Sequence, residues 1–171
     1  MLMKNESEVF NNFANILEEI TSVYTEFFLA IQELTLSLKK SDYAKFLESQ
    51  KHLETIILKI RLLEEVRIKD VKKISELTGL DEESITLSTL IETAPPPINE
   101  RFYEIKKKLS EIINKVSDST KHTKNLLESS IVTIENTINF IKSICTSNPV
   151  YQKTGKIESN NLKSSLFAQK V

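Results

Sequence analysis

The chain has 171 residues, 40% hydrophobic and 27% charged, with two glycines, four prolines, one cysteine and a formal net charge of −1. That apolar content at single-domain length supplies one core and excludes a disordered chain. Two glycines are too few for the turns of a sandwich, barrel or doubly wound sheet, or for a glycine-rich phosphate cradle, and near-zero charge offers no polycation to nucleic acid or anionic lipid.

The first predicted helix runs from about Ser7 to Leu38. Val9, Phe10, Phe13, Ile16, Leu17, Ile20, Tyr24, Phe27, Phe28, Ile31, Leu34 and Leu38 recur at steps of three and four, which makes one broad apolar face. Lys39 and Lys40 suit the negative end of its dipole, and Ser41 or Asp42 can cap the next helix. So short a connection predicts an antiparallel hairpin. The second helix spans about Asp42 to Thr78, with an apolar stripe of Tyr43, Phe46, Leu47, Leu53, Ile56, Ile57, Ile60, Leu63, Val66, Val71, Ile74 and Leu77. Its polar face offers the pairs Arg61 with Glu65, Glu65 with Lys69, and Glu64 with Arg67, each worth only a few tenths of a kcal/mol. Gly79 ends it as a left-handed cap. Asp81 is expected to cap a shorter helical piece carrying Ile85, Leu87, Leu90 and Ile91. Ala94-Pro95-Pro96-Pro97 reads as a stiff extended link between helices.

A long helix follows from about Asn99 to Ile144, its stripe interrupted between Val116 and Leu126 by Ser119, Thr120 and Thr123. That gap is expected to thin the core and allow a bend. After Thr146 the pattern breaks at Asn148, Pro149, Gly155, Asn160 and Asn161. The expected architecture is therefore all-α: an elongated antiparallel bundle of long helices over residues 1–145, with a flexible C-terminal segment, 146–171.

Little in the chain can carry chemistry. His52 and His122 have no acidic or cysteine partners in register, so no metal site is expected and no cofactor is implied. Cys145 reads as a small residue at the end of an apolar stripe. The motifs CxxC, HExxH and GxSxG are absent, and Lys106-Lys107-Lys108 lacks the aromatic platforms of a nucleic-acid tracker. The chain is read as a non-enzyme. A single cysteine, the lack of a basic-then-apolar leader in MLMKNESEVF, and the absence of a run of about 18 apolar residues lead to the expectation of a cytoplasmic protein without membrane insertion. Charge divides unevenly: six glutamates against Lys4 before residue 38, but Lys153, Lys156, Lys163 and Lys170 against Glu158 after residue 146. Such a basic tail can lie on an acidic bundle or on an acidic partner.

Three stretches carry a family likeness. They are Leu63-Glu64-Glu65-Val66-Arg67 in the second helix, Leu126-Leu127-Glu128-Ser129-Ser130-Ile131 in the long helix, and Pro149-Val150-Tyr151-Gln152-Lys153-Thr154-Gly155-Lys156 after it. In order and spacing they resemble the FlgN family of flagellar type III export chaperones, over nearly the whole chain. The pattern departs at Thr123, where members often carry Asn. The resemblance implies a chaperone for the hook-associated proteins FlgK and FlgL, holding the client's C-terminal helix until export. It also implies a client site in the C-terminal part of the chain, and docking of the loaded chaperone on the export gate FlhA through the segment with Tyr151 and Gly155. A monomer forming a 1:1 client complex follows.

The residues compatible with a client surface are Ile131, Ile134, Ile138, Ile141 and Ile144 on the long helix, with Ile157, Leu162, Leu166 and Phe167 in the tail. Ile131 to Ile141 are assigned first to the bundle core and only second to a client. Leu162, Leu166 and Phe167 have flanks too polar for a core and are assigned to a partner. The competing reading is a coiled-coil scaffold or adaptor unrelated to secretion.

Overall fold

The computed structural model describes residues 2–146, 150–151 and 157–158, and the side chains of residues 7–144. Its helices are α1 (Leu2–Lys39), α2 (Tyr43–Thr78), α3 (Leu87–Thr93) and α4 (Ile98–Thr146), with one 3-10 turn at Glu82–Ser84. Two two-residue strands, β1 (Val150–Tyr151) and β2 (Ile157–Glu158), pair antiparallel with Tyr151 opposite Ile157. The fold is otherwise all-α, as composition predicts. Residues 1–124 and 125–171 form two separate compact units.

The hairpin of the first unit is written into its connection. The Asp42 N–H donates to the Ser37 carbonyl at 2.9 Å, and the Asp42 carboxylate accepts from the Lys45 N–H at 3.1 Å, while Ser41 takes a positive φ of 55° to make the turn. At the far end Gly79 adopts φ 70° and donates to the Ser75 carbonyl, so α2 stops where the glycine predicts.

Phe10, Phe13, Leu17, Ile20 and Ile31 of α1 are buried as their spacing requires. Three residues absent from the predicted stripe, Ala14, Val23 and Ala30, are also buried in this core. α2 contributes Ile56, Leu63 and Ile74 to the same core. Here the structure corrects the stripe: Tyr43, Leu47, Ile57, Val66 and Leu77 are exposed, because α2 buries a narrow face and carries more apolar residues than that face holds. Of the ion pairs expected on α2, Glu64 meets Arg67 at 2.8 Å.

Two connections differ from expectation. Asp81 makes no capping bond. Ile85 is extended, which interrupts the helical run after Ser84, and capping passes to Thr86, whose hydroxyl accepts from the Thr89 N–H at 3.2 Å. The proline run is a tight turn rather than an extended link: the Ile98 N–H donates to the Pro95 carbonyl at 2.9 Å, and the Pro96–Pro97 peptide is cis. Prolines suit this position because the first turn of a helix leaves its N–H groups without helical partners.

α4 enters the core through Ile98, Phe102 and Ile105, and Ile112 is buried further along. The Phe102 ring is fully buried, edge-on to Phe10 at 6.3 Å and tilted against Phe13 at 6.2 Å. Beside it Arg101 grips α1 with both arms of its guanidinium. Nε and Nη2 each donate to the Glu18 carboxylate at 2.7 Å, and Nη2 also reaches Asn15 Oδ1 at 2.7 Å. These hydrogen bonds hold the Glu18 carboxyl below the usual carboxylate value and raise Arg101; partial burial opposes both shifts.

The polar gap in the α4 stripe has a partner. Thr123 and Thr35 are both buried, and their hydroxyl oxygens meet at 2.7 Å. Each also lies within hydrogen-bond distance of the carbonyl one turn back, Ile31 for Thr35 and Ser119 for Thr123. Two hydroxyls carry two protons, so one threonine donates to the other and the second donates to its own helix. α4 continues through this point as one helix, so the gap is a matched polar layer and not a break.

Candidate helix-docking surface

Burial along α4 ends at Thr123. Leu126 and Leu127 are half-buried, and the residues from Ile131 to Ile144 are all exposed. Ile131 is 55% exposed, Ile134 58%, Ile138 39% and Ile141 48%. The assignment of these isoleucines to the bundle core is therefore overturned. Among the described residues, the buried core cluster includes nothing from this stretch of α4.

The steps from Leu127 through Ile131, Ile134 and Ile138 to Ile141 are four, three, four and three. That is a heptad seam, with Ile131 and Ile138 at a and Leu127, Ile134 and Ile141 at d, a stripe narrower than a globular core face requires. Its period of 3.5 matches another α-helix, since knobs at this spacing fit holes on a helical partner. One edge of the seam, position e, carries Glu128, Glu135 and Lys142. Around it the hydroxyls are satisfied within α4 itself. Ser130 donates to the Leu126 carbonyl at 2.8 Å, Thr133 to Ser129 at 2.9 Å and Thr137 to Thr133 at 2.8 Å. A partner that dries this surface thus leaves no hydroxyl without a hydrogen bond.

Of the sequence-predicted site residues, Ile131 and Ile138 lie on this one seam. The backbones of Tyr151 and Ile157 stand opposite each other in the strand pair. Gly155, Leu162, Leu166 and Phe167 lie outside the described residues. The strand pair went unread in the sequence, although an extended Val150-Tyr151 followed by a connection containing Gly155 is its signal. The heptad is present in the sequence too, where its spacing is hard to tell from ordinary helical amphipathicity.

The histidines do not converge. His52 lines a cleft of about 490 Å³ at the α1–α2 turn with Glu33 and Glu48, whereas His122 lines one of about 390 Å³ with Asp118. Among the described residues no three His, Cys, Asp or Glu side chains gather as metal ligands, and no helix is long and apolar enough to cross a membrane.

A family model described as "FlgN protein" matches residues 1–159. The chain belongs to the FlgN family. Neither comparison with curated proteins nor comparison with solved structures gave a match. FlgN proteins are flagellar export chaperones, which act by holding client proteins and not by catalysis.

Proposed function

We propose that this FlgN-family chain is a cytoplasmic chaperone that binds the C-terminal helical region of FlgK and FlgL, keeps them from associating prematurely, and delivers them to FlhA. The exposed heptad of Ile131, Ile134, Ile138 and Ile141 supports this reading most directly. A client helix awaiting assembly has an apolar face without a partner. Laid on this seam, it takes each isoleucine from about half exposed to buried, which contributes on the order of 1 kcal/mol per residue at roughly 25 cal/mol per Å². The bundle, residues 1–145, presents the seam. Residues 146–171 supply the remaining contacts, with Ile157, Leu162, Leu166 and Phe167 toward client and Tyr151 and Gly155 toward the gate.

Titration calorimetry with FlgK and FlgL from the same organism tests the reading. The account expects a 1:1 complex, weakened roughly a hundredfold by Ile131→Asp with Ile138→Asp, since each buries a carboxylate in the seam. The helical signal of the variant in circular dichroism should be unchanged. Absence of a complex with either protein, or equal affinity for the variant, contradicts it. Tyr151→Ala should leave client binding intact and abolish capture of the loaded complex by FlhA.

The same heptad also favours a second reading, a scaffold that self-associates through α4, because isoleucine at both a and d suits three- or four-stranded coils. Sedimentation separates the two. A chaperone stays monomeric at micromolar concentration until client is added; a scaffold sediments as a stable oligomer that client does not change.

A further inference from the structure

The first unit contains an opening that the client reading leaves unused. A cleft of about 220 Å³ lies beside α3, lined by Leu17 and Ile20 of α1, Leu90 of α3 and Leu109 of α4. Leu17, Ile20 and Leu90 belong to the buried core, so the floor is apolar. The charged residues of the lining are Glu64 and Arg67 of α2, joined Oε2 to Nε at 2.8 Å. That bond engages one carboxylate oxygen and one of the five guanidinium N–H groups. Among the described residues, Oε1 of Glu64 and both Nη atoms of Arg67 have no protein partner. We propose that this cleft binds a free α-amino acid with a large apolar side chain, such as leucine, methionine or phenylalanine. The side chain lies on the core floor, the α-carboxylate on the Nη atoms of Arg67, and the α-ammonium on Oε1 of Glu64.

Charge, spacing and size each narrow the ligand to this class. A fatty acid matches Arg67 but brings a second carboxylate beside Glu64, and an amine matches Glu64 but not Arg67. An apolar residue within a peptide carries neither charge. A zwitterion carries both, and its ammonium nitrogen and carboxylate carbon sit about 2.5 Å apart across one Cα. Glu64 and Arg67, three residues apart on α2 and joined at 2.8 Å, set their opposite charges side by side on the same scale. The guanidinium N–H fork suits a carboxylate, and both contacts are charge-assisted.

The cleft equals the share of about seven waters at roughly 30 Å³ each, which admits one leucine, methionine or phenylalanine side chain. Glycine and alanine leave most of the floor wet and gain little from apolar burial. The lining residues run from Phe13 to Ile113 and lie within the first unit. The inference therefore stands whether or not the α4 seam takes a client.

Titration of the full-length chain with L-leucine, followed by NMR of its backbone amides, tests the site. The amides of Ile20, Arg67, Leu87 and Ile113 should shift together, with a dissociation constant of about 1 mM or lower. Methionine and phenylalanine should bind comparably, and alanine at least tenfold more weakly. N-acetyl-leucine, which lacks the ammonium, and leucinamide, which lacks the carboxylate, should each lose at least tenfold. Glu64→Gln and Arg67→Gln should each weaken leucine at least fivefold, with helix content by circular dichroism unchanged. Should either variant unfold, the comparison of leucine with acetyl-leucine and leucinamide on the wild-type chain decides. No shift at these amides up to about 20 mM of any of the three large amino acids overturns the proposal. Equal affinity for leucine and octanoate overturns it by making the site a general apolar cleft. Equal affinity for N-acetyl-leucinamide overturns it by making the site a groove for a partner's side chain. Leucine affinity unchanged in both folded variants overturns it as well.

Discussion

The Thr35–Thr123 contact shows how a polar layer survives in the core. Each hydroxyl can bond to its own helix, so neither depends wholly on the other. Thr35→Val alone leaves the Thr123 hydroxyl its Ser119 carbonyl and should cost about 1 kcal/mol in urea unfolding; changing both to valine should cost less than the sum, because no buried hydroxyl remains. The Glu18–Arg101 clamp behaves differently because it meets solvent. Its folded-state carboxyl sits below the ordinary value of 4.5, so the stability it contributes is present above that pH and is lost as pH falls through the lower folded value. The Glu18 side chain is 49% exposed, so the effect of Glu18→Gln on stability should stay under about 1 kcal/mol at neutral pH and vanish in acid. Comparing the urea midpoints of the two chains across pH checks both the size and the sign.

The ends of α1 and α2 were legible because Asp42 and Gly79 act through local backbone chemistry that tertiary structure does not override. Gly79→Ala should cost about 1–2 kcal/mol by strain in the left-handed region alone, since a Cβ there meets nothing within 4 Å. Thermal unfolding of that variant against wild type measures it. The outer residues of α2 were not legible in the same way. Periodicity reports that a helix has an apolar side, but α2 is apolar over much of its circumference, and only packing decides that Ile56, Leu63 and Ile74 go in while Leu58, Leu62 and Ile68 stay out. The start of α3 shows the same limit. Asp81 and Thr86 are both acceptable caps, and the extended Ile85 between them decides in favour of the threonine. The proline run is legible as a helix stop, but its turn geometry lies beyond what composition specifies.

At the scale of the whole molecule, the core is concentrated where α1, α2, α3 and the first turns of α4 meet around Phe102. Phe102→Ala should cost about 3–5 kcal/mol, whereas Ile138→Ala, on the exposed seam, should change urea stability little. That contrast separates residues that hold the fold from exposed residues that do not. Which isoleucines belong to which class was not legible from the stripe of α4, because hydrophobic spacing is the same whether the covering helix is in the same chain or another.

Amide hydrogen exchange, followed along the full chain with and without saturating FlgL, asks directly whether the α4 seam receives a client. The account predicts that residues 127–144 gain at least tenfold protection in the complex, while the outer face of α2 at Leu58, Leu62 and Ile68 exchanges as before. Protection confined to α2, or a complex that leaves residues 127–144 exchanging at their free rates, would contradict it.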